Sequence, residues 1–433
     1  MKQGKLTKMK LIRTLIVLGS ALAGLLLSPL ASAQLNVEIY GAGADRIPVA
    51  VSSFAGEGLM QGGGVTAIVR KDLELSGLFR MIDTGATAEG LRPDLPGWRG
   101  RGADAVLVGS MSPGAGGLVD VRFSLFDAPR NTELFALKVS VNPNQARPLG
   151  HHIANKVYEK LIGQPGIFST RIAYVEKRGQ TYDLVIADFD GENQHRPVTL
   201  QEPIMSPVWS PDGRQLAFVD FHSRKPIVKV LTLETGAVKV IANYRGSNSA
   251  PAWSPDGRRL ALTLTKDGQS QIYILNADGS GLRRLMSSSG IDTEANWSPD
   301  GNQIYFTSDR GGSPQIYRVN ADGSGVQRMS FNGAYNVSPR ISPDGKTLVY
   351  VSRNEGRFQV TMQDLATQQV QALTDSQRDE SPSFAPDGRT LLYATEVGGR
   401  GVLAVTSIDG RTRYRLNNRA GDVREPAWGP FEK

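Results

Sequence analysis

The chain has 433 residues, of which 40% are hydrophobic and 21% are charged, so it is long enough for two packed domains and too apolar to be disordered. It contains no cysteine, which excludes a disulfide framework, a cysteine-ligated metal centre and a thiol nucleophile. The formal net charge is +7, but five of these charges lie within the first 13 residues. The rest of the chain is therefore nearly neutral, and no nucleic-acid partner is expected.

The N-terminus has the organisation of a secretory signal. The basic residues precede an apolar run from Leu15 to Leu27, and the small-residue sequence Ala31-Ser32-Ala33 follows. The alternative, an uncleaved membrane anchor, needs about 20 apolar residues to span a bilayer, and this run is shorter. We expect a signal peptide over residues 1–33, Sec-type cleavage between Ala33 and Gln34, and a mature chain in the periplasm.

Residues 34–163 alternate between strand-like and helix-like hydrophobic patterns, which predicts an α/β N-terminal domain. The predicted strands are Leu35–Tyr40, Pro48–Phe54, Ala105–Gly109, Leu118–Phe126 and Leu134–Val141. The predicted helices carry apolar residues on one face at Val65, Ile68, Val69 and Leu73, and at Leu149, Ile153, Val157 and Leu161. The sequence Gly163-Gln164-Pro165-Gly166 breaks the second helix, and residues 164–168 are expected to form the linker.

From residue 169 to residue 433 the sequence repeats itself. Ser-Pro-Asp-Gly recurs, then returns as Ala-Pro-Asp-Gly and ends as Gly-Pro, with steps of 44, 44, 44, 43 and 44 residues. The motifs begin at Ser210, Ser254, Ser298, Ser342, Ala385 and Gly429. Each full repeat contains four strand patterns separated by glycine turns. A period of this length with four strands is typical of a β-propeller, and about six such repeats fill the region. The sequence therefore predicts an all-β six-bladed β-propeller after the α/β domain.

The register of the repeats predicts how the ring closes. The segment Arg171–Leu200 carries three strand patterns before the first motif, and Arg424–Trp428 is a lone strand after the last full repeat. We expect this C-terminal strand to complete the first blade, because closure removes two exposed sheet edges that would invite aggregation.

The repeated turns and the variable loops are expected on opposite faces of the propeller. Ser-Pro-Asp-Gly suits a type I turn between the first and second strands, and Asn276–Gly281 and Asn320–Gly325 suit turns between the third and fourth strands. The loops before each first strand, which we call the leading loops, include Ser247–Ala250, Asp292–Ala295 and Asp379–Ser381. Because the leading loops vary while the turns stay alike, we expect the turns to serve folding and the leading loops to serve recognition.

No catalytic, metal-binding or cofactor-binding set is predicted. His151 and His152 are neighbours about 100° apart on a helix and cannot share one metal, while His195 and His222 stand alone. Asp188–Glu192 lacks the ligands of a calcium loop and reads as a hairpin turn. No Gly-x-Ser-x-Gly motif and no phosphate-binding loop is present.

Two other functions would each require residues of a particular kind on the channel face. A propeller enzyme, a hydrolase or lyase with its active site in the channel, needs convergent histidine, acid or metal ligands on several leading loops, and only Asp292 and Asp379 are acidic candidates there. A carbohydrate-binding propeller needs exposed aromatic residues on the channel face. The repeat tryptophans Trp209, Trp253 and Trp297 are instead expected to be buried between blades.

The whole chain resembles the TolB family of the Tol–Pal system of Gram-negative bacteria. The resemblance rests on the signal peptide, the α/β domain, six repeats of the Pro-x-Trp-Ser-Pro-Asp-Gly type and the sequence Arg171-Ile172-Ala173-Tyr174-Val175 that opens the array. It implies a monomeric, non-catalytic periplasmic scaffold that links the outer-membrane lipoprotein Pal to inner-membrane TolA. The implied role is in outer-membrane integrity and constriction during cell division, with peripheral outer-membrane association through Pal.

The resemblance also implies two binding sites. The Pal contact carries over to channel-face residues Ser247, Asn248, Ala250, Thr293 and Glu294; enterobacterial members have histidine at the position of Ser247. The TolA-binding segment at the mature N-terminus carries over to Gln34, Leu35, Asn36, Val37, Glu38, Ile39 and Tyr40. The following Gly41-Ala42-Gly43-Ala44 departs from the enterobacterial residues, but its glycines would permit a switch between docked and free states.

Overall fold

The computed structural model describes residues 37–38, 46–85, 90–222, 224–416 and 421–432. The predicted signal peptide lies outside the described residues, as do the predicted partner-binding residues Gln34, Leu35, Asn36, Ile39 and Tyr40. Within the described residues, no helix is both long and apolar enough to cross a lipid bilayer.

An α/β domain precedes the repeats, as the hydrophobic patterns predict. Its sheet has the order β3-β2-β4-β5-β6, in which β2 runs parallel to β3 and β4 and the other pairs are antiparallel. The strands are β2 (Ile47–Val51), β3 (Phe79–Ile82), β4 (Ala105–Pro113), β5 (Val119–Asp127) and β6 (Thr132–Val141). The helices are α1 (Val65–Leu75), α2 (Leu95–Gly100) and α3 (Ala146–Ile162), with short 3₁₀ turns at Glu57–Leu59 and Ala115–Gly117.

The two long helices pack against each other over the apolar faces that the sequence indicates. Val69, Leu73, Ile153 and Val157 are all fully buried. Gly150 permits the close approach, because a Cβ there would lie 2.6 Å from Ile68 Cγ2. The helix faces are thus confirmed, whereas the short elements β3 and α2 have no counterpart among the predicted ones.

Three predicted strands differ in extent or in partner. β2 ends at Val51 rather than at Phe54, whose backbone N–H instead donates to Thr66 Oγ1 at 3.1 Å. β4 runs beyond Gly109 because β5 pairs with it along its whole length. The first predicted strand is described only as β1 (Val37–Glu38), which pairs with an outer strand of the propeller and not with the α/β sheet.

Six antiparallel sheets form the propeller, which confirms the predicted fold class. Blade 1 consists of β30 (Asp422–Trp428), β7 (Arg171–Arg178), β8 (Thr181–Asp188) and β9 (His195–Leu200). Blade 2 consists of β10 (Ile204–Trp209), β11 (Gln215–Asp220), β12 (Ile227–Thr232) and β13 (Val238–Ala242). Blade 3 consists of β14 (Asn248–Trp253), β15 (Arg259–Leu264), β16 (Gln271–Asn276) and β17 (Arg283–Arg284). Blade 4 consists of β18 (Asp292–Trp297), β19 (Gln303–Ser308), β20 (Gln315–Asn320) and β21 (Gln327–Arg328). Blade 5 consists of β22 (Asn336–Ile341), β23 (Thr347–Asn354), β24 (Arg357–Asp364) and β25 (Val370–Ala372). Blade 6 consists of β26 (Glu380–Phe384), β27 (Thr390–Val397), β28 (Arg400–Ser407) and β29 (Arg413–Arg415). β1 adds a fifth strand to blade 6.

The last strand of the chain closes the ring, as predicted. β30 pairs antiparallel with β7, with Trp428 opposite Ile172 and Val423 opposite Glu176. The Trp428 backbone N–H donates to Ser383 Oγ of blade 6 at 2.9 Å. Its indole N–H donates to Thr170 Oγ1 at 2.8 Å. The seam between the first and last blades is therefore made by both backbone pairing and side-chain hydrogen bonds.

The repeated residues occupy the structural positions predicted for them. Trp209, Trp253 and Trp297 are buried, and the indole N–H of Trp209 donates to the Ala427 carbonyl of the neighbouring blade at 3.1 Å. In the first Ser-Pro-Asp-Gly turn, the Gly213 N–H donates to the Ser210 carbonyl at 2.9 Å. Both the interblade tryptophans and the turns are thus confirmed as parts of the scaffold.

Deleting residues 422–433 should destabilise the protein, because β7 loses one of its two strand partners and the ring loses the buried Trp428. Loss of a buried tryptophan alone costs about 3 kcal/mol or more, and the exposed edge of β7 invites aggregation. Thermal melting and light scattering test this, with deletion of residues 431–433 as a control that keeps β30. If both truncated proteins melt like the full chain, the seam contributes no stability.

Candidate docking face and channel

A ring of six left-handed residues surrounds the central channel. Each innermost strand has a bulge, and the bulge residue has a φ between 47° and 57°. The ring residues are Ser206, Ala250, Glu294, Ser338, Ser381 and Glu425. In five blades a proline follows the ring residue, which fits a bulge because proline has no backbone N–H to pair.

The innermost strands enclose a channel cavity of about 460 Å³, into which the ring residues project. Since a bulge sits at the same place in every blade, the backbone of the mouth is repeated six times while its side chains differ. The chemistry of the channel mouth is therefore set by the identity of the ring residues.

The carboxylate of Glu294 joins blades 4 and 5. One oxygen accepts hydrogen bonds from Thr307 Oγ1 at 2.7 Å and from the Ser338 backbone N–H at 2.9 Å. The other oxygen accepts from Ser338 Oγ at 2.7 Å. The side chain is therefore largely used within the protein, although it lies at the channel mouth.

Glu425 repeats this arrangement three blades away. Its carboxylate accepts from the backbone N–H of Ser206 in the next blade. Burial raises the pKa of Glu425, and the nearby carboxylates Glu380 and Glu294 add to that rise. A glutamate at a ring position thus acts as a bridge to the following blade.

Arg340 is the basic residue of the channel lining. Its guanidinium donates to the Pro339 carbonyl at 2.8 Å. Burial lowers the pKa of Arg340, while the carboxylates of Glu294 and Glu425 oppose that change. Reasoning from the sequence missed Arg340 and Glu425; the repeat register, extended to every residue of the innermost strand, could have found both.

The candidate Pal-contact residues lie together at the starts of two neighbouring innermost strands. Ser247, Ala250, Thr293 and Glu294 are half-buried. Thr263 Oγ1, on β15 of blade 3, donates to Thr293 Oγ1, on β18 of blade 4, at 3.2 Å, so blades 3 and 4 are in contact at this point.

Asn248 is different, because it is completely buried. Its side-chain oxygen accepts from the Tyr244 N–H at 2.8 Å, and its amide donates to the carbonyls of Pro226, Tyr244 and Gly246. Asn248 therefore shapes the leading loop of blade 3 from inside.

Buried polar residues at the equivalent position stabilise other leading loops. Asp292 accepts from Ser308 Oγ at 2.6 Å and from Arg310 at 2.8 Å. Asn336 donates to the Asn332 carbonyl at 2.8 Å. Asp379 is also buried, and burial raises its pKa. Of the two acids on the leading loops, Asp292 is thus part of the loop scaffold, and Asp379 is buried beneath its loop.

The turn face is partly covered by the α/β domain. Lys71 of α1 lies 3.1 Å from Asp190 in the turn between β8 and β9, and Arg147 of α3 lies 2.5 Å from Asp188 in the same turn. At blade 6, Gly77 packs so closely that a Cβ would lie 1.9 Å from Thr412 Oγ1. Only turns of the propeller take part in these contacts, so the leading-loop face is left open by the described residues.

A buried charge network lies within this domain contact. His151 Nδ1 is 2.6 Å from Asp72 Oδ2, and His151 Nε2 is 3.7 Å from Asp188 Oδ2. Burial alone would lower the pKa of His151, but the carboxylates of Asp188 and Asp72 outweigh it and raise the pKa to about 9. Burial raises the pKa of Asp72 to about 6 in spite of His151. Asp190 has a lowered pKa because Arg147 and Lys71 outweigh its burial.

The four histidines form no metal site. His195 is exposed, and His222 is exposed beside Glu202 at 3.3 Å. Across the described residues, no cluster of three or more histidine, aspartate or glutamate side chains is arranged to hold a metal ion. His151 lies between the two domains, within hydrogen-bond distance of Asp72.

Of the candidate TolA-binding segment, the structure describes Val37 and Glu38. Their backbones pair antiparallel with β29, Val37 opposite Tyr414 and Glu38 opposite Arg413. The described part of the segment thus forms an additional outer strand of blade 6.

Comparison with known proteins covers both domains. A family model described as the TolB amino-terminal domain matches residues 35–134, and one described as the TolB beta propeller domain matches residues 158–432. The chain is 66% identical over 428 residues to the Tol-Pal system protein TolB of Aromatoleum aromaticum, covering 98% of this chain and 99% of that protein. It is 64% identical over 397 residues to the protein of the same name from Azoarcus sp., covering 91% and 93%. The crystal structure of TolB from Acinetobacter baumannii superposes with a TM-score of 0.84 at 37% identity, covering 92% of this chain and all of that one.

The contact between the domains should weaken at alkaline pH. The carboxylates of Asp188 and Asp72 raise the pKa of His151 from 6.5 to about 9 on folding, so the stabilisation that its charge provides is present at pH 6.5 and is lost as the pH rises through 9. We expect the melting temperature to fall more between pH 6.5 and 9.5 in the unmodified protein than in an Asp72→Asn/His151→Gln variant, which keeps the shape but loses the titration. An equal fall in both proteins would contradict the role of the pair.

Proposed function

This chain belongs to the TolB family of Tol–Pal system proteins, and from that membership we propose that it is a non-catalytic periplasmic scaffold linking outer-membrane Pal to inner-membrane TolA. Its role would be to maintain outer-membrane integrity and to aid constriction during cell division. It would work as a monomer, associating with the outer membrane only through Pal. Export would remove residues 1–33 between Ala33 and Gln34.

One observation carries the assignment of the Pal site. The α/β domain lies against propeller turns, while Ser247, Ala250, Thr293 and Glu294 lie at the channel mouth on the opposite face. A protein partner can approach this face without displacing the α/β domain. We propose Ser247, Ala250, Thr293 and Glu294 as contact residues and Asn248 as the residue that shapes their loop.

The structure also refines how Glu294 would act. Its carboxylate already accepts three hydrogen bonds from Thr307 and Ser338, so a partner would meet it together with Ser338. This arrangement favours a role in recognition over proton transfer. It is the reason that we propose a scaffold and not a channel enzyme.

For TolA, we propose that residues 34–40 form the binding segment and that pairing of β1 with blade 6 is its docked state. Among the described residues, two residue pairs join β1 to β29, so release of these two residues costs few hydrogen bonds. Gly41 and Gly43 stand between β1 and β2 in the sequence, and such glycines would permit the switch between docked and free states that this role requires.

The proposed domain division follows the same boundaries as the repeats: an α/β domain over residues 34–163, a linker over 164–168 and a propeller over 169–433. In its support, α3 ends at Ile162 and Gly163 adopts a left-handed conformation with a φ of 78°. β7 then begins at Arg171.

Replacing Thr293 by tyrosine should weaken Pal binding. The new ring adds neutral bulk at a half-buried contact position, and a central contact of an interface can contribute 2 kcal/mol or more. We expect the Kd for purified soluble Pal, measured by titration calorimetry, to rise at least about tenfold, or roughly 1.4 kcal/mol. Thr235→Tyr, at an exposed position on the turn face, is the matched control. Unchanged affinity in Thr293→Tyr, with an unchanged melting temperature, would move the site elsewhere.

Deleting residues 34–44 should abolish TolA binding and leave Pal binding intact, or altered only through coupling between the two sites. The deletion removes the proposed binding segment and β1 but no strand of the α/β sheet. Pull-down with purified TolA and calorimetry with Pal measure the two effects separately. TolA binding that survives the deletion would refute the assignment of this segment.

A further inference from the structure

We propose that the leading-loop face selects a protein partner whose docking surface is acidic around an apolar centre. The inference rests on the proposed Pal site, because it concerns the same face, and it specifies the chemistry of the partner. It is carried by two properties of the described residues: unpaired cationic side chains around the face and exposed apolar side chains on it.

Six cationic residues on this face have no carboxylate partner within 4 Å among the described residues. They lie on leading loops, or on or beside the hairpins between second and third strands, in blades 1, 2, 3, 5 and 6. Five are exposed, and Lys225 is half-buried. The six residues are Lys177, Arg224, Lys225, Arg245, Arg353 and Arg400.

The noncovalent contacts of these cations leave their charge uncompensated. Lys177 and Arg353 lie over the rings of Tyr182 and Phe358, at 5.5 Å and 5.7 Å from the ring centres. Lys225 donates to the Tyr244 carbonyl at 3.0 Å. An aromatic ring or a carbonyl orients a cation, but neither cancels its field at a distance.

The carboxylates of this face are mostly paired within the protein. Other basic residues of the face form ion pairs with these carboxylates. The pairs are Arg178 with Asp183, Arg196 with Glu176, Lys229 with Asp220, Arg310 with Asp292, Arg357 with Glu355, Arg378 with Glu396 and Arg424 with Glu380. Asp309 is used differently, since it accepts the Ile291 backbone N–H at 2.7 Å. This pairing leaves the six cations without a carboxylate partner, whereas the ring carboxylates Glu294 and Glu425 are half-buried and hydrogen-bonded within the protein.

Exposed apolar side chains lie on the same face, and one of them, Met205, lines the channel. Phe331, in the leading loop of blade 5, is 69% exposed, and Ile291, just before β18, is 46% exposed. Met205, next to the ring residue Ser206, is 40% exposed. Phe331 is held in place by the guanidinium of Arg328, 5.3 Å from its ring centre. Aromatic side chains that are exposed and already oriented are typical anchors of protein interfaces.

The two properties act at different stages of binding. Uncompensated charges attract an oppositely charged surface over about one Debye length and raise the association rate, and salt screens this effect. Apolar anchors act only after contact and slow dissociation. An acidic partner surface with an apolar centre satisfies both requirements.

The test measures the association of the mature protein with purified soluble Pal by surface plasmon resonance at low and high salt. We expect the association rate constant of the unmodified protein to fall at least about tenfold between 20 and 250 mM salt. An Arg245→Glu/Arg353→Glu variant should associate at least about tenfold more slowly at low salt and show little salt dependence. Phe331→Ser should raise the dissociation rate and leave the association rate nearly unchanged.

Matched controls separate position from net charge. Arg258→Glu/Lys346→Glu makes the same charge change at exposed positions on the turns of blades 3 and 5, and it should associate like the unmodified protein. Val238→Ser removes an apolar side chain that is 45% exposed on an outer strand, and it should not change dissociation.

Two results would overturn the inference in distinguishable ways. If Pal binds, but both double charge variants associate alike or the rate does not depend on salt, the partner surface is not acidic and the docking proposal stands. If Pal does not bind the unmodified protein at all, the proposed function fails, and the inference fails with it.

Discussion

A propeller blade covers its two faces only when it has a neighbour on each side, so the ring has to close. Here closure depends on a strand from the far end of the chain: β30 pairs with β7, and Trp428 reaches both Ser383 of blade 6 and Thr170 at the start of blade 1. The other contacts between blades depend on the ring being closed at this seam. The bulged innermost strands, the channel and the two opposed faces all follow from a ring held closed in this way.

Within the closed ring, the backbone conformation is repeated from blade to blade, while the side chains differ. The left-handed bulge recurs in each blade, while its residue alternates among serine, alanine and glutamate. Where the residue is Glu294 or Glu425, the carboxylate binds the backbone N–H of the next blade. The positions that vary most at the channel mouth therefore also help to hold the blades together, and recognition and stability are linked at this ring.

The repeat period predicted the blades, their strands, the turns and the ring closure, because each of these depends on local pattern and on the count of repeats. The helices α1 and α3 were predictable from the spacing of Val69 and Leu73 and of Ile153 and Val157. Other features depend on residues that are distant in sequence. His151 meets Asp72 only because helices α1 and α3 pack together, and it meets Asp188 only because the two domains dock. Asn248 is buried only because Tyr244, Gly246 and Pro226 fold around it. No periodicity or motif signals such contacts.

The two ends of the described chain lie on neighbouring blades but are held with different strengths. β1 joins β29 of blade 6 through two residue pairs, whereas β30 joins β7 of blade 1 through five residue pairs and two hydrogen bonds of Trp428. A mechanical load applied at the N-terminus would therefore peel away β1 first. Under tension, β1 would separate from β29 while the six blades of the propeller stay intact.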